Sequence, residues 1–512
     1  MSDQTIPNMS ALDGSKPLTS IPIGLTQAEY QAIDSCSAVP SSTTIFEIGS
    51  RPGISISPKS MYMTFLCTLG DQYQCITGGA ESLISEVRIE TGGSIEIESC
   101  RSYGSLSHCL WNCCADKGDY SNLQLTQGGS AGVGDDLADN NFVPSITRKY
   151  MITFNEMGFL SMDKSFPLFA LNGIRLLVRW AANANDCIHG ATGTTPTFTI
   201  TQPKLFVNEH EMSPEYQDSI IRAVASKGLH FTYQNWTSAE QPLSGASSGG
   251  SRCVSNVKDP QCVLSAIRLN SDRVITKKFM TNTMQSQLTR YNWTVGGKRA
   301  VAGDIACDSA NKDVLEAYTH LLHSIGRDGL TSTGTLFNHK YSFATKTLKI
   351  RVLAVSATDT ATITIPVAAA KWIVENITHG LVSGLTTLTA TGVGFGANDT
   401  MNVLHTFTGI DTSTGILTSN IKNDASSSTA VVGTTVLEIS ATSLESGCGF
   451  IMGTRLSASA FQSDCEEYVS PGPKMNVDFS YQADTSIPAS TLYTHVLGKR
   501  TLSILSTGVE CD

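Results

Sequence analysis

The stretch SEVRIETGGSIEIESC, residues 85–100, alternates apolar and charged side chains on both sides of Thr91-Gly92-Gly93. Period-two alternation is the pattern of a half-buried strand, and a glycine pair supplies the turn between two of them. Such a hairpin needs a sheet around it to cover its apolar face. The reading places Val87, Ile89, Ile95 and Ile97 on that face, with Glu86, Arg88, Glu90, Glu96 and Glu98 on the solvated or subunit-facing one. The five charges then keep the sheet's edge from pairing wrongly and help set register.

The same plan returns later in the chain. QLTRYNWTVGGKRAV (287–301) turns at Gly296-Gly297, 204 residues after the first pair. Each hairpin precedes a helical pattern: RSYGSLSHCLWNC (101–113), with Leu106, Leu110 and Trp111 on one side, and NKDVLEAYTHLLHSIGRDG (311–329), closed by Gly326. The repeat lies in architecture more than in letters, and it implies two similar β domains. Length agrees, since 512 residues exceed what one hydrophobic core organises.

In the first half, PKSMYMTFLCTL (58–69), RKYMITFN (148–155), FPLFALNGIRLLVRW (166–180) and TPTFTITQPKLFV (195–207) add strands to the hairpin. SPEYQDSIIRAVASKG (213–228) carries a helix's own punctuation, with Ser213 as N-cap, Pro214 in the first turn and Gly228 at the stop. Tyr216, Ile220 and Val224 form its expected buried stripe. LHFTYQNW (229–236) and CVLSAIRLN (262–270) open the second domain, and GFIMGTRLSAS (449–459), KMNVDFSYQA (474–483) and TLYTHVLGKRTLSIL (491–505) complete it. The expected division is an extended N-terminal arm at 1–50 with a brief helical stretch at LTQAEYQAI, a first β domain at 51–212 and a linker helix at 213–228. The second domain runs through 229–343 and 449–512, and a small β-rich unit, read as a sandwich, is inserted at 344–448.

Charge and cysteine content narrow the function. A net charge of −10 offers no general basic field for a nucleic-acid backbone, so direct nucleic-acid binding is not expected. With no export signal and no apolar run of membrane-spanning length, synthesis is expected in the host cytosol. The 14 cysteines are then expected as reduced thiols, and the Asn-x-Ser/Thr sites at Asn8, Asn235, Asn292, Asn376 and Asn398 as unglycosylated.

No motif assembles a catalytic constellation, and no catalytic residue, cofactor or metal is expected. Gly245-Ala246-Ser247-Ser248-Gly249 matches the letters of a nucleophile elbow, but it sits in a Gly/Ser stretch read as a loop. Cys109, Cys113 and Cys114 share one helix and cannot close a tetrahedron around zinc. His320 and His323 are three apart rather than the four of a helical metal pair. Gly392-Val393-Gly394 with Ala397 lacks the strand and helix of a dinucleotide loop, and Asp135, Asp136 and Asp139 read as a solvated acidic loop.

In order and spacing these elements resemble the double jelly-roll major capsid proteins, most closely those of polinton-like viruses and virophages. SLISEVRIETGGSIEIESCRSYGSL (82–106) is similar to that family's first CD hairpin leading into a helix, and FPLFALNGIRLLVRW (166–180) to its G to H corner. YNWTVGGKRAVAGDI (291–305) is similar to a second-domain strand, with Ala300 and Ala302 where the family often has Pro, and TLYTHVLGKRTLSILSTGV (491–509) to its closing strand. The likeness covers most of 55–340 and 449–512 and leaves out the arm and the insertion.

The resemblance implies an all-β fold of two tandem eight-stranded jelly rolls, and a homotrimer imitating a hexagon in the icosahedral shell of a DNA virus. It also implies contacts with neighbouring capsomers, penton and minor capsid proteins. The arm is expected beneath the shell, toward such proteins or an internal membrane. The insertion is expected to point outward, toward a host receptor or glycan. The alternative is a carbohydrate-binding β-sandwich, which would want exposed aromatic platforms from among Trp111, Trp180, Trp236, Trp293 and Trp372.

Overall fold

The computed structural model describes residues 24–511 apart from 34–36, 71–74, 77, 115–125, 128–146, 163–164, 190–194, 244–245, 276–278, 281–282, 284–287, 308–314, 327–346, 356–361, 368, 371–387, 394–403, 412, 420–434, 441–449 and 457–473. The first domain comprises β1 (Gly24–Gln31), β2 (Ser37–Ala38), β3 (Thr43–Ile48), β4 (Ile54–Leu69), β5 (Cys75–Ile76), β6 (Ile84–Thr91) and β7 (Glu96–Arg101). After helix α1 (Tyr103–Cys114) come β8 (Thr147–Thr153), β9 (Ile174–Trp180), β10 (Ile188–His189) and β11 (Phe198–Glu211). Helix α2 (Pro214–Ser226) leads to β12 (Leu229–Leu243), β13 (Ser248–Lys258), β14 (Cys262–Leu269), β15 (Leu288–Val295), β16 (Lys298–Arg299), β17 (Ile305–Ala306) and helix α3 (Leu315–Ser324).

Seven strands follow, β18 (Thr347–Arg351), β19 (Ala354–Val355), β20 (Thr362–Thr364), β21 (Leu388–Val393), β22 (Leu404–Asp411), β23 (Ile416–Ser419) and β24 (Val436–Ser440). The chain closes with β25 (Ile451–Arg455), β26 (Lys474–Ala483), β27 (Ser490–Leu505) and β28 (Gly508–Cys511).

Strand order identifies the architecture. The first domain packs sheets β1-β11-β4-β8 and β3-β9-β6-β7, and the second packs β12-β27-β14-β25 and β13-β26-β15-β16. Counting the main strands along each domain, both read first, eighth, third, sixth against second, seventh, fourth, fifth. That order is a jelly roll. It occurs twice, and α1 and α3 each follow the fifth strand. The fold is therefore a double jelly roll, and the two rolls share one buried apolar cluster.

Local chemistry explains several joints. Ser213 caps α2 by accepting from Tyr216 N at 3.3 Å, and Gly228 ends it at φ +79°. Tyr216 and Ile220 are buried as expected, while Val224 is half-buried. At the first hairpin, a Cβ on Gly92 would lie 1.9 Å from the Asn172 carbonyl oxygen, so only glycine lets the 172–173 corner close over the turn.

Several expectations need correction. Residues 24–31 and 43–48, assigned to an arm, are the first and second strands of the first roll, β1 on β11 and β3 on β9. Their sparse apolar pattern reflects an edge position, with Leu25 exposed. The 85–100 hairpin is consequently strands four and five, not the family's CD pair. The Gly/Ser stretch from 248 is strand β13, where Gly249 and Gly250 leave room for Tyr481 and the Phe479 carbonyl. Finally, of 166–180 only Ile174–Trp180 is a strand, because Pro167 starts a short 3₁₀ turn at Leu168–Ala170.

Between α3 and β25, the described strands β18–β24 form one seven-stranded antiparallel sheet rather than the two sheets of a sandwich, in the order β18-β24-β21-β22-β23-β20-β19. These strands pair only with one another.

Candidate functional site: the seam between the rolls

The first hairpin meets the second roll through a bulge. Glu90 pairs with Glu96 and Ile89 with Glu98, so Ile97 is the extra residue and the alternation beyond it is reversed. Glu98 thereby turns onto the core face beside Ile89 and is fully buried, against the expectation of a solvated or subunit-facing position. Its carboxylate accepts from Gly158 N at 2.9 Å and Phe159 N at 2.8 Å. Burial pushes its pKa up to about 7, against the opposing pull of the two N–H groups and Arg500.

The other charges do what the alternation suggests. Arg88 lies 3.1 Å from Glu90 and 3.4 Å from Glu86 on the outer face, and Glu96 reaches Arg500 of β27 at 3.5 Å. Pairs this exposed add little stability individually. Their geometry nevertheless ties the hairpin's register to the second roll.

Backbone and aromatic contacts close this end of the seam. Tyr233 of β12 donates to the Ile97 carbonyl at 2.7 Å. The Phe159 and Tyr233 rings meet edge to face at 5.8 Å, and Phe166 lies 5.0 Å from Phe231. A Cβ on Gly158 would stand 1.3 Å from the Gln234 carbonyl oxygen. Gly158 therefore seats backbone against backbone on β12.

The other end is organised by a buried cation. Arg268 of β14 donates twice to the Met280 carbonyl, at 3.0 and 2.8 Å, and to Ser105 of α1 at 2.8 Å. Its guanidinium stacks over Tyr493 at 4.7 Å. Because Ser105 accepts from Arg268, its own O–H is left to donate to His495 Nε2 at 3.3 Å; His495 Nδ1–H then donates to Ser238 at 2.7 Å. This relay needs a neutral imidazole. Burial, and then the charge of Arg268, push both His495 and the buried His108 down to about 3. Arg273 adds an ion pair to Asp186 at 3.2 Å, again across the rolls.

Two more carboxylates lie under α1. Glu81 accepts from Trp111 Nε1 at 3.0 Å, Gln127 Nε2 at 2.8 Å and the Ser107 hydroxyl, and Glu156 accepts from Tyr103 at 2.5 Å. Burial raises the pKa of both, and the charge of Glu156 raises Glu81 further. Glu156 also lines a seam cleft of about 380 Å³ with Leu110, Trp111, Gln234 and Trp236.

The motif residues do not converge. Cys109 and Cys113 are buried in α1, and burial lifts the Cys109 thiol to about 11. None of the ten cysteines whose side chains are described forms a disulfide. His320 and His323 sit 6.5 Å apart on α3, and His320 reaches Thr454 at 3.5 Å. Ser247 and Ser248 lead into a strand, so no elbow forms, and Gly392 and Val393 lie within β21. Gly245, Gly394, Ala397, Asp135, Asp136 and Asp139 fall outside the described residues. No group of three His, Cys, Asp or Glu fit to hold a metal occurs among the described residues, and no described helix is long and apolar enough to cross a membrane. Asn292 is buried, its amide donating to Val301 and Gly303 carbonyls at 3.0 and 2.7 Å, which closes that sequon to a glycan.

Of the seam residues, Glu98 was expected on the outer face, and Ser105, Arg268 and His495 were not singled out from sequence. Arg268 left one signal, a single charge inside the apolar run CVLSAIRLN.

No protein-family profile and no curated protein matches the chain. Solved structures do. A chain in the cryo-EM structure of the Sputnik virophage aligns over 97% of this chain and 90% of its own length, at 9% identity and a TM-score of 0.51. The crystal structure of the mavirus major capsid protein aligns over 97% and 92%, at 11% identity and a TM-score of 0.45. A chain of the PBCV-1 virus capsid aligns over 95% and 96%, at 11% identity and a TM-score of 0.45. The Sputnik likeness agrees with the double jelly roll read from strand order.

Proposed function

We propose that the chain is a major capsid protein, three copies of which form a pseudo-hexagonal block that tiles the icosahedral shell of a DNA virus. The observation that carries this is the duplicated strand order on a rigid seam. Two equivalent rolls locked side by side, repeated around a threefold axis, present six similar lobes without six identical chains. A chain built to move its domains would not bury Glu98, Arg268 and His495 between them. The role is structural, without catalysis, and the site of action is the virion after synthesis in the host cytosol.

Neighbouring blocks, penton and minor capsid proteins are the partners this role requires, with an internal membrane within reach of the N-terminal segment. The self-paired β18–β24 sheet is the part suited to a host receptor or glycan, being inserted between the fifth and sixth strands of the second roll. The carbohydrate-binding alternative finds no exposed tryptophan platform among the described residues, since Trp180, Trp236 and Trp293 are buried and Trp111 is half-buried, and Trp372 lies outside them. Light scattering on the purified full chain tests the proposal. The expected mass is that of three copies, and a monomer at micromolar concentration contradicts it.

A further inference from the structure

We propose that the cleft left open in the seam between the rolls binds a small organic cation, an apolar body carrying one amine, with Glu156 as its counter-charge and the Trp111 indole as a wall. The cleft measures about 380 Å³, within the range of small-molecule sites, and its described lining comes from both rolls. Trp111 and Glu156 stand on the first roll's side, Trp236 of β12 and Leu497 of β27 on the second's. Asn155 and Ser161 border it and are exposed, which gives a ligand a way in from solvent.

The hollow lies where the seam is otherwise tight. Gly158, which also borders it, sits so close to β12 that a Cβ would stand 1.3 Å from the Gln234 carbonyl oxygen. Packed interiors keep few voids larger than a water molecule. A gap of this size beside such an approach is a feature of shape rather than of loose packing.

Glu156 supplies the chemistry. It is only 9% exposed, its carboxylate accepts from the Tyr103 hydroxyl at 2.5 Å, and no Lys, Arg or His pairs with it among the described residues. Other buried seam carboxylates are provided for: Glu98 takes two main-chain N–H groups and feels Arg500, and Asp186 pairs with Arg273. Glu81, the next carboxylate under α1, likewise draws on neutral donors, Ser107, Trp111 and Gln127. Burial raises the pKa of Glu156, and its charge raises Glu81 further. A positive charge in the cleft acts the other way, favouring the ionised carboxylate. A perturbed carboxyl group lining a largely apolar cleft is the pattern of a binding site.

The walls select the rest of the ligand. Trp111 Nε1 donates to Glu81 at 3.0 Å, which holds the indole in place. Indole faces attract cations, and the surrounding apolar surface favours a ligand whose bulk is apolar. A bare metal ion is not suited, since no group of three His, Cys, Asp or Glu fit to hold one occurs among the described residues.

Calorimetric titration of the purified full chain with phenethylamine and, as its uncharged counterpart, phenethyl alcohol tests the site. Saturable binding of the amine is expected, about ten-fold or more tighter than that of the alcohol, the strength of one charge-assisted hydrogen bond. E156Q keeps an acceptor for Tyr103 and removes the charge. It should bring the amine down to the alcohol and leave the alcohol unchanged, an effect that a mere loss of packing would not produce. Melting curves should show E156Q folded. S161W, at the exposed mouth, should block both ligands, and it locates the site even if E156Q does not fold. The proposal is overturned by no saturable amine binding in the native chain, by amine binding no tighter than the alcohol's, by undiminished binding in S161W, or by equal amine binding in folded E156Q. The trimer assay is separate, so this site and the capsid reading fail independently.

Discussion

Arg268 of the second roll donates to Ser105 of the first across 2.8 Å, inside a seam that neither side chain shares with solvent. A guanidinium buried without a carboxylate contact among its hydrogen bonds depends on every neutral acceptor it has. Ser105→Ala should therefore destabilise the chain by about 1–3 kcal/mol, and Arg268→Ala by roughly 3–5 kcal/mol. Denaturant melts at matched protein concentration read both. Equal, near-zero effects would mean that the seam contributes nothing to stability.

Glu98 sets a pH dependence of definite sign. Its folded pKa is raised, to about 7 from an ordinary value of 4.5, so its contribution is complete below about 4.5 and is lost as pH rises through 7. The full effect is on the order of 3 kcal/mol. Melting temperature against pH should show that slope in the native chain and lack it in Glu98→Gln.

His495 works in the opposite direction. Its folded pKa is depressed to about 3, so its contribution is complete above about 6.5 and is lost as pH falls toward 3. His495→Gln should flatten the acid limb of the same profile, with His108 supplying the remaining steepness. An unchanged acid limb would show that His495 is protonated in place.

Gly158 tests how closely the rolls approach. Gly158→Ala puts a methyl group into the Gln234 carbonyl and should cost more than about 3 kcal/mol. Gly303→Ala, where nothing lies within 4 Å, should be nearly silent. Comparable melting of the two variants would mean that the backbone around Gly158 yields easily.

The sheet formed by β18–β24 should be dispensable for the rolls. Deleting residues 344–448 is expected to leave the oligomer intact in light scattering, because those strands pair only among themselves. Loss of soluble protein would place part of that segment in the second roll's core.

The seam was the least legible part of the sequence, for a physical reason. Helix α2 could be read from Ser213, Pro214 and Gly228, and the duplication from two Gly-Gly turns each followed by a helix, because capping and turn chemistry are local. Glu98 could not. Alternation assumes unbroken register, and the bulge at Ile97 reverses faces through pairing with β6, which lies outside the strand's own letters. β1 and β13 were missed because an edge strand needs only one covered face and tolerates Ser and Gly. Arg268 and His495 take their roles from Ser105, 163 and 390 residues away in sequence.

Electron microscopy of the purified chain in negative stain tests the central claim most directly. Particles with six lobes of near-equal size around a threefold axis are the predicted result. Single two-lobed particles at all concentrations would contradict it.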